Sequence, residues 1–391
     1  MIRITGFSGE IPKIEPRLLP PNAAQMAQNT RLDSGSLLPF KAPGAVETLP
    51  DPAGTIYLHQ GDWLSWADED VKAVPGPIAT DRLYITGDGV PKLMVGGVTY
   101  ELAVPAPTTP LTISLVSGTP DPAIQYSVLY VYTYVTAFGE ESEPVAASNS
   151  ITTDPSLDVL LTGFAVAPAG RNSTLQRIYR SQTSDSGVTT FYFIHERADT
   201  ASDFTDTAGT YPIQEPLTSA DYNPPPDDLA GIVAMPNGMM AAFVGKKVYF
   251  SEPYQPHAWP EKYIITVDAE VVGLGALASN LAVMTTRNPY MMQGTAPENI
   301  TSERVEVNLP CVSALSIVDL GYAIAYASSM GLVIIDTSSA RLVTADMISH
   351  RDWQARYLPQ TFRAAQFEGR YFASYETFGA RALVIIDLSG E

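Results

Sequence analysis

The amino-acid sequence predicts an all-β protein, in which a β-propeller carries an inserted fibronectin type III-like β-sandwich and an extended N-terminal arm. Three observations lead to this fold class. The 391-residue chain contains 32 prolines and 28 glycines, which interrupt it too often for long helices. Short apolar hairpins recur at a spacing of roughly 40 residues, as in four-stranded propeller blades. A stretch near the middle of the chain alternates strictly between two faces, as sandwich strands do.

The hairpin repeat occupies residues 231–391. Its first copy has an apolar strand, a turn at Gly245 and Lys246, and an aromatic-rich strand that Pro253 ends. Three further copies follow, with turns at Asn288–Pro289, near Met330–Gly331 and at Gly369. The copies share a pattern rather than identical letters. An antiparallel sandwich with evenly spaced hairpins is therefore the alternative fold.

Proline-rich joints divide the chain into four predicted regions. These are an N-terminal arm with a closing strand (1–50), a first blade region (51–108), the inserted sandwich (109–222) and the remaining blades (223–391). The joints lie at Val104–Pro110 and Tyr222–Asp228. One face of the sandwich is predicted to carry Tyr126, Val128, Tyr130, Tyr132 and Tyr134.

The arm combines extended and turn signals. Pro16, Pro20 and Pro21 favour an extended backbone, Asn22 is expected to cap a short helix over 23–29, and Gly35 precedes an expected strand over 36–40. Such a segment buries little on its own, so it is expected either to close the ring of blades or to pack on a neighbouring subunit. The candidate assembly residues are Leu18, Leu19 and Met26.

Charge and composition limit the function classes. The formal net charge of −19 opposes tight binding to phosphate backbones or anionic lipid. An acidic wall would still let DNA slide past. An ordinary soluble surface is the simpler explanation of this charge. The single cysteine, Cys311, and four scattered histidines predict no intramolecular disulfide, metal site or cofactor. The N-terminus lacks a secretory pattern and the apolar stretch 271–284 is too short to span a bilayer, so we expect cytoplasmic synthesis without membrane insertion.

Motifs for catalysis are weak, and no catalytic residue is predicted. Residues 183–190 partly match the Asp-box of sialidases, but Thr190 stands where that motif has an aromatic residue. Trp63 and Trp66, beside several carboxylates, suggest a sugar platform, while packing in the core is the commoner role of such residues. His257, between two prolines, is expected to be structural.

Three long phrases resemble one protein family. The arm phrase 16–41 resembles the start of nozzle proteins (tail tubular protein B-like) of short-tailed bacteriophages. The phrases 221–260 and 311–335 are similar to the propeller core of tail structural proteins of the same group.

This resemblance implies a structural protein of the virion tail without catalytic residues or cofactors. Six copies would form a homo-hexameric ring below the head-tail adaptor protein and would enclose the channel through which DNA is ejected. The implied partners are that adaptor, tail fibre or spike proteins, and genomic DNA that passes without tight binding, with assembly in the host bacterial cytoplasm. The main rival is a carbohydrate-binding or depolymerising tail protein that contacts the host surface; a bacterial propeller enzyme is the second rival.

Overall fold

A computed structural model describes residues 6–31, 35–42, 44–50, 53–79, 81–183, 189–208, 211–337, 339–377 and 379–388. The described part of the arm contains a 3-10 turn (Pro16–Leu18) and four two-residue strands, β1 (Gly9–Glu10), β2 (Ala23–Ala24), β3 (Thr30–Arg31) and β4 (Leu38–Pro39). β1 pairs with β2 in parallel, and β3 pairs with β4 antiparallel. Among the described residues the arm therefore adds no strand to a blade.

The expected helix over 23–29 is wrong. Its first residues form β2, because backbone bonds from Ser8 to Asn22 and from Ile11 to Ala24 hold this segment against β1. A ladder with a neighbouring segment satisfies these groups where a short isolated helix would be marginal. The expected strand over 36–40 forms in shortened shape as β4.

The first blade region contains two sheets. A hairpin of β5 (Thr55–His59) and β6 (Asp62–Trp66) precedes blade 1, which consists of β7 (Lys72–Pro75), β8 (Arg82–Thr86), β9 (Lys92–Val95) and β10 (Val98–Glu101). Tyr57, Leu64 and Trp66 of the hairpin pack against buried Leu83 and Ile85 of blade 1. The hairpin is thus a separate two-stranded layer beside a complete blade.

The middle of the chain is called here the sandwich segment (111–217), and its described residues form nine strands. These are β11 (Thr112–Leu115), β12 (Tyr126–Val128), β13 (Tyr130–Thr136), β14 (Val145–Ala146), β15 (Ile151–Thr153), β16 (Val159–Thr162), β17 (Ser173–Thr183), β18 (Thr189–Ala198) and β19 (Phe204–Asp206). The sheets β11-β16-β19 and β14-β13-β17-β18 and the pair β12-β15 share one hydrophobic cluster. That cluster buries the predicted Val128, Tyr130, Tyr132 and Tyr134, whereas Tyr126 is exposed. The assignment of this segment as an inserted fibronectin type III-like domain stays a prediction.

Four further blades follow. Blade 2 contains β20 (Ala230–Ala234), β21 (Met240–Val244), β22 (Lys247–Phe250) and β23 (Ile265–Thr266), and blade 3 contains β24 (Val271–Leu277), β25 (Asn280–Thr285), β26 (Tyr290–Gln293) and β27 (Thr301–Arg304). Blade 4 contains β28 (Val318–Asp319), β29 (Ile324–Ala327), β30 (Leu332–Ile335) and β31 (Ala340–Leu342), and blade 5 contains β32 (Arg363–Phe367), β33 (Arg370–Thr377) and β34 (Ala380–Asp387). Short helical turns lie at Ser219–Asp221, Pro236–Gly238, Glu261–Tyr263, Pro297–Asn299, Ala314–Ser316, His350–Asp352 (α1), Trp353–Tyr357 and Pro359–Thr361.

The blades are arranged as a β-propeller, which confirms the propeller part of the predicted fold class. Each blade is an antiparallel meander, and its first strand lies against the first strand of the next blade, in the order β7, β20, β24, β28 and β32. A hydrophobic cluster fills each space between successive blades. All four predicted hairpin turns form, but the turn at Gly369 joins the first two strands of its blade, whereas the others join the second and third.

Two details position the inner strands. In β24, a Cβ atom on Gly275 would lie 2.6 Å from Ile324 Cγ1, so glycine permits the close approach of blades 3 and 4. At the other end of the series, Arg363 of blade 5 pairs at 2.5 Å with Glu69, which lies between the hairpin and blade 1. This ion pair joins the last blade to the beginning of the propeller.

Candidate assembly surface

The first half of the arm docks on its own chain. The Arg356 guanidinium forms an ion pair with the Glu10 carboxylate at 2.9 Å, and the Lys13 backbone amide donates to the Met347 carbonyl at 3.1 Å. Burial, followed by the nearby Glu10 charge, raises the pKa of Tyr357 to about 12. The arm is therefore anchored on the segment that leads into blade 5.

The three predicted assembly residues have different surroundings. Leu18 is 69% exposed and Met26 is 60% exposed, although both belong to the anchored part of the arm. Leu19 is half-buried. The structure thus leaves two of the three apolar side chains open to a partner and partly covers the third.

The second half of the arm is exposed as well. Its large apolar side chains Leu37, Leu38, Phe40 and Val46 lie in solvent, with Val46 at 86% exposure. Scattered single apolar residues on a surface are ordinary, but a succession of them along one segment is a candidate interaction surface.

The hairpin β5–β6 also carries exposed apolar side chains. Its inner face packs on blade 1, while Leu58, its cross-strand partner Trp63, and Ile56 lie on the outer face and are all exposed. We call the nine exposed side chains Leu18, Met26, Leu37, Leu38, Phe40, Val46, Ile56, Leu58 and Trp63 the assembly surface. Six of the nine were not predicted from the sequence, namely Leu37, Leu38, Phe40, Val46, Ile56 and Leu58. For Ile56 and Leu58 the signal was a hairpin with apolar residues on both faces.

The predicted sugar platform requires Trp63 and Trp66 on one surface, and the structure does not place them together. Trp63 and Trp66 are three positions apart on β6 and therefore point to opposite faces of the hairpin. Trp66 lines a cleft of about 290 Å³ beside Asp88 and Lys92, which form an ion pair of 2.5 Å. The carboxylate in this cleft is thus already matched by a cation.

A buried ionic cluster fastens the sandwich segment to blade 1. Glu140 accepts hydrogen bonds from Arg171 at 2.5 Å and from Arg82 of β8 at 3.4 Å. The Arg82 guanidinium also lies 5.1 Å from the ring centre of Phe138, and Tyr100 of β10 meets the same ring edge-on. One carboxylate therefore joins a cation of the sandwich segment to a cation of the propeller.

The adjacent Glu141 extends the cluster towards blade 2. Its carboxylate accepts bonds from Tyr179 at 2.6 Å and from Arg177 at 2.9 Å, and burial together with its charge raises the pKa of Tyr179 above the usual range. Its backbone carbonyl accepts from His257 Nε2 at 2.9 Å. Burial lowers the pKa of His257, so the ring is neutral, in keeping with the structural role expected for it.

The remaining candidates give no catalytic arrangement. Burial raises the pKa of Cys311 to about 12, which makes its thiol unreactive. In the described part of the chain, no group of three His, Cys, Asp or Glu side chains is placed to hold a metal ion. No described helix is long and apolar enough to cross a membrane. Most of the partial Asp-box falls outside the described residues.

Comparisons with known proteins do not assign the chain to a family. No family model matches the chain, and no curated protein matches it. Similar solved structures include BBS1N in complex with ARL6DN, at 11% identity over 90% of this chain and 83% of that chain, with a TM-score of 0.30. They also include an inactive virginiamycin B lyase from Staphylococcus aureus with quinupristin (10% identity, 71% and 89% covered, TM-score 0.25) and YCF48 from Cyanidioschyzon merolae (8%, 86% and 97%, 0.27). At these TM-scores the likenesses carry no functional argument.

Proposed function

We propose that this chain is a structural component of a phage virion tail, a nozzle whose copies form a ring below the head-tail adaptor and enclose the DNA exit channel. The assembly surface carries this proposal. Nine large apolar side chains between residues 18 and 63 are exposed in the described part of the chain, and burying them against other subunits would remove apolar area from water. The resemblance of the phrases 16–41, 221–260 and 311–335 to nozzle proteins supports the same role.

The rest of the molecule suits a rigid building block. Hydrophobic clusters join each blade to the next, and the Glu140 and Glu141 cluster holds the sandwich segment against two of them. A subunit that must keep a channel open under pressure benefits from such fixed internal geometry, because interface contacts then need no reorganisation.

The charge of the chain supports a passage for DNA rather than a grip on it. The formal net charge of −19 reflects many carboxylates that are available for a channel wall. A wall that makes few contacts with DNA phosphates would hold the DNA only weakly. Head-tail adaptor and tail fibre or spike proteins are the proposed protein partners, and the ring is proposed to be a homo-hexamer.

Native mass measurement with and without the adaptor tests this function. We expect a ring of six copies when the adaptor is present, and loss of the ring when Leu18 and Met26 are both changed to Ser. Val166→Ser is the matched control, since Val166 is 57% exposed but lies on the sandwich segment. A protein that stays monomeric with the adaptor and binds host glycans would instead support the carbohydrate-binding alternative.

A further inference from the structure

Blade 5 has an open outer edge. Blades 1 to 4 each contain four described strands, whereas blade 5 contains three, of which β34 is the outermost. β34 is eight residues long and pairs along its whole length with β33, and its other edge makes no backbone bond to a described residue. A long edge strand with unpaired backbone groups is a template for another strand.

The sequence of β34 does not block such pairing. It contains no proline, its central residues Leu383 to Ile386 are apolar, and Leu383 is 51% exposed. Proteins usually protect an edge of this kind with charges, proline or a bulge. The charged residues of β34 lie towards its two ends, at Arg381 and Asp387.

Another segment of the same chain forms no ladder with the described residues. Residues 44–50 form no helix or strand, and their backbone groups bond to no described residue. Ala45 to Leu49 contain the β-branched Val46 and Thr48 and lie between Pro43 and Pro50, so five residues are free to enter a ladder. The fourth strands of blades 1 to 4 are two to four residues long, so a segment of five residues is long enough to form one.

We infer that residues 45–49 of one copy add to the open edge of β34 in a neighbouring copy and complete its blade 5 as a fourth strand. Within one chain no backbone bond joins residues 45–49 to β34, and we assign a second copy as the occupant of this edge. Main-chain hydrogen bonds supply the attraction, and Val46 packs beside Leu383.

This contact has the symmetry that a ring needs. The donor segment and the acceptor edge are different surfaces of one chain, so each copy gives a strand to one neighbour and receives a strand from the other. Such heterologous contacts close into rings when the rotation between copies is suitable. The inference rests on the proposed function, because the neighbouring copy that supplies the strand is taken from the proposed ring.

Disulfide trapping between two distinguishable copies tests the contact. Val46→Cys is placed in a tagged protein and Leu383→Cys in an untagged one, and the two are mixed, assembled with the adaptor and oxidised. Opposed residues of paired strands have the Cα separation that a disulfide requires. Arg381→Cys and Ile385→Cys cover neighbouring registers on the same face, and Ala382→Cys on the opposite face is the matched control. Native Cys311 is buried and does not compete.

We expect a disulfide-linked pair of tagged and untagged chains with at least one of the three same-face positions, at least tenfold more abundant than with Ala382→Cys. Two results would overturn the inference: no cross-linked pair in an assembled oligomer, or a cross-link only within one chain when both cysteines are in the same protein. Mass measurement on the same samples separates the two proposals. A ring without cross-links leaves the nozzle role intact, while cross-linked chains that never close into a ring contradict the nozzle role alone.

Discussion

Arg171 Nη2 donates to Glu140 Oε2 at 2.5 Å, and both side chains are at most 4% exposed. The other two nitrogens of the Arg171 guanidinium, Nε and Nη1, have no hydrogen-bond partner among the described residues. Glu140 is therefore the group that neutralises a fully buried cation, and the same carboxylate reaches Arg82 on blade 1.

We predict that Glu140→Gln destabilises the protein by about 3–5 kcal/mol, because it leaves the buried Arg171 charge without its counter-ion. Urea unfolding followed by tyrosine and tryptophan fluorescence measures this change. The control is Glu69→Gln, which breaks the half-exposed pair with Arg363 and should cost less than about 1 kcal/mol. Equal effects of the two variants would contradict the account of Glu140 as a buried counter-ion.

His257 should make stability depend on pH. Because burial lowers its pKa in the folded protein below the ordinary value of 6.5, the unfolded chain takes up a proton first as the pH falls. Its stabilising contribution is complete above pH 6.5 and decreases as the pH falls from there towards the lower folded pKa, by at most about 1.4 kcal/mol per pH unit. The extra proton would enter at Nδ1, which has no described partner.

Thermal unfolding between pH 5 and pH 8 checks this prediction in the wild type and in His257→Gln. The glutamine amide retains a donor for the Glu141 carbonyl. Because the carboxylates titrate in both proteins, their contribution cancels when the stability of the variant is subtracted from that of the wild type. The wild type should lose more stability on acidification than the variant. Parallel pH curves would show that His257 does not titrate in this way.

Deletion of residues 13–41 should prevent assembly while leaving a folded propeller. This segment adds no strand to any blade among the described residues, and its exposed Leu18 and Met26 need a surface from another molecule. Circular dichroism should show the wild-type β signal, and native mass measurement with the adaptor should show only monomer. An unfolded product would instead make the arm an essential part of the propeller.

Residues 111–216 should fold when expressed alone. Their hydrophobic cluster is formed entirely within the segment, from Leu111 to Tyr211. The isolated segment should unfold cooperatively but at lower temperature than in the full chain, because it loses the contacts of Glu140 with Arg82 and of Glu141 with His257. Disordered spectra would remove the assignment of a separate domain.

The assembled ring should bind DNA weakly. Asp and Glu are predicted to outnumber Lys and Arg among the side chains that face its lumen, since each basic contact to phosphate would add a salt-dependent hold on DNA. A gel shift at moderate salt should show no stable complex. Strong binding, or a basic lumen in a structure of the ring, would favour a protein that grips DNA.

The periodic part of the fold was predictable from residue order alone. Each hairpin turn of blades 2 to 5, for example Gly245–Lys246 and Gly369, was located because strand alternation and turn chemistry act over a few neighbouring residues. The buried face of β13 was predictable for the same reason, since Tyr130, Tyr132 and Tyr134 share one side of a strand.

Long-range pairing was decided only by the tertiary structure. The backbone at Ala23–Ala24 became a strand because Gly9–Glu10 lies beside it, and local capping by Asn22 could not compete with that ladder. The meeting of Glu140 with Arg82, the pairing of Glu69 with Arg363, and the open edge of β34 likewise join residues far apart in the chain. Such contacts depend on how whole blades pack, and local residue patterns do not predict which distant surfaces come together.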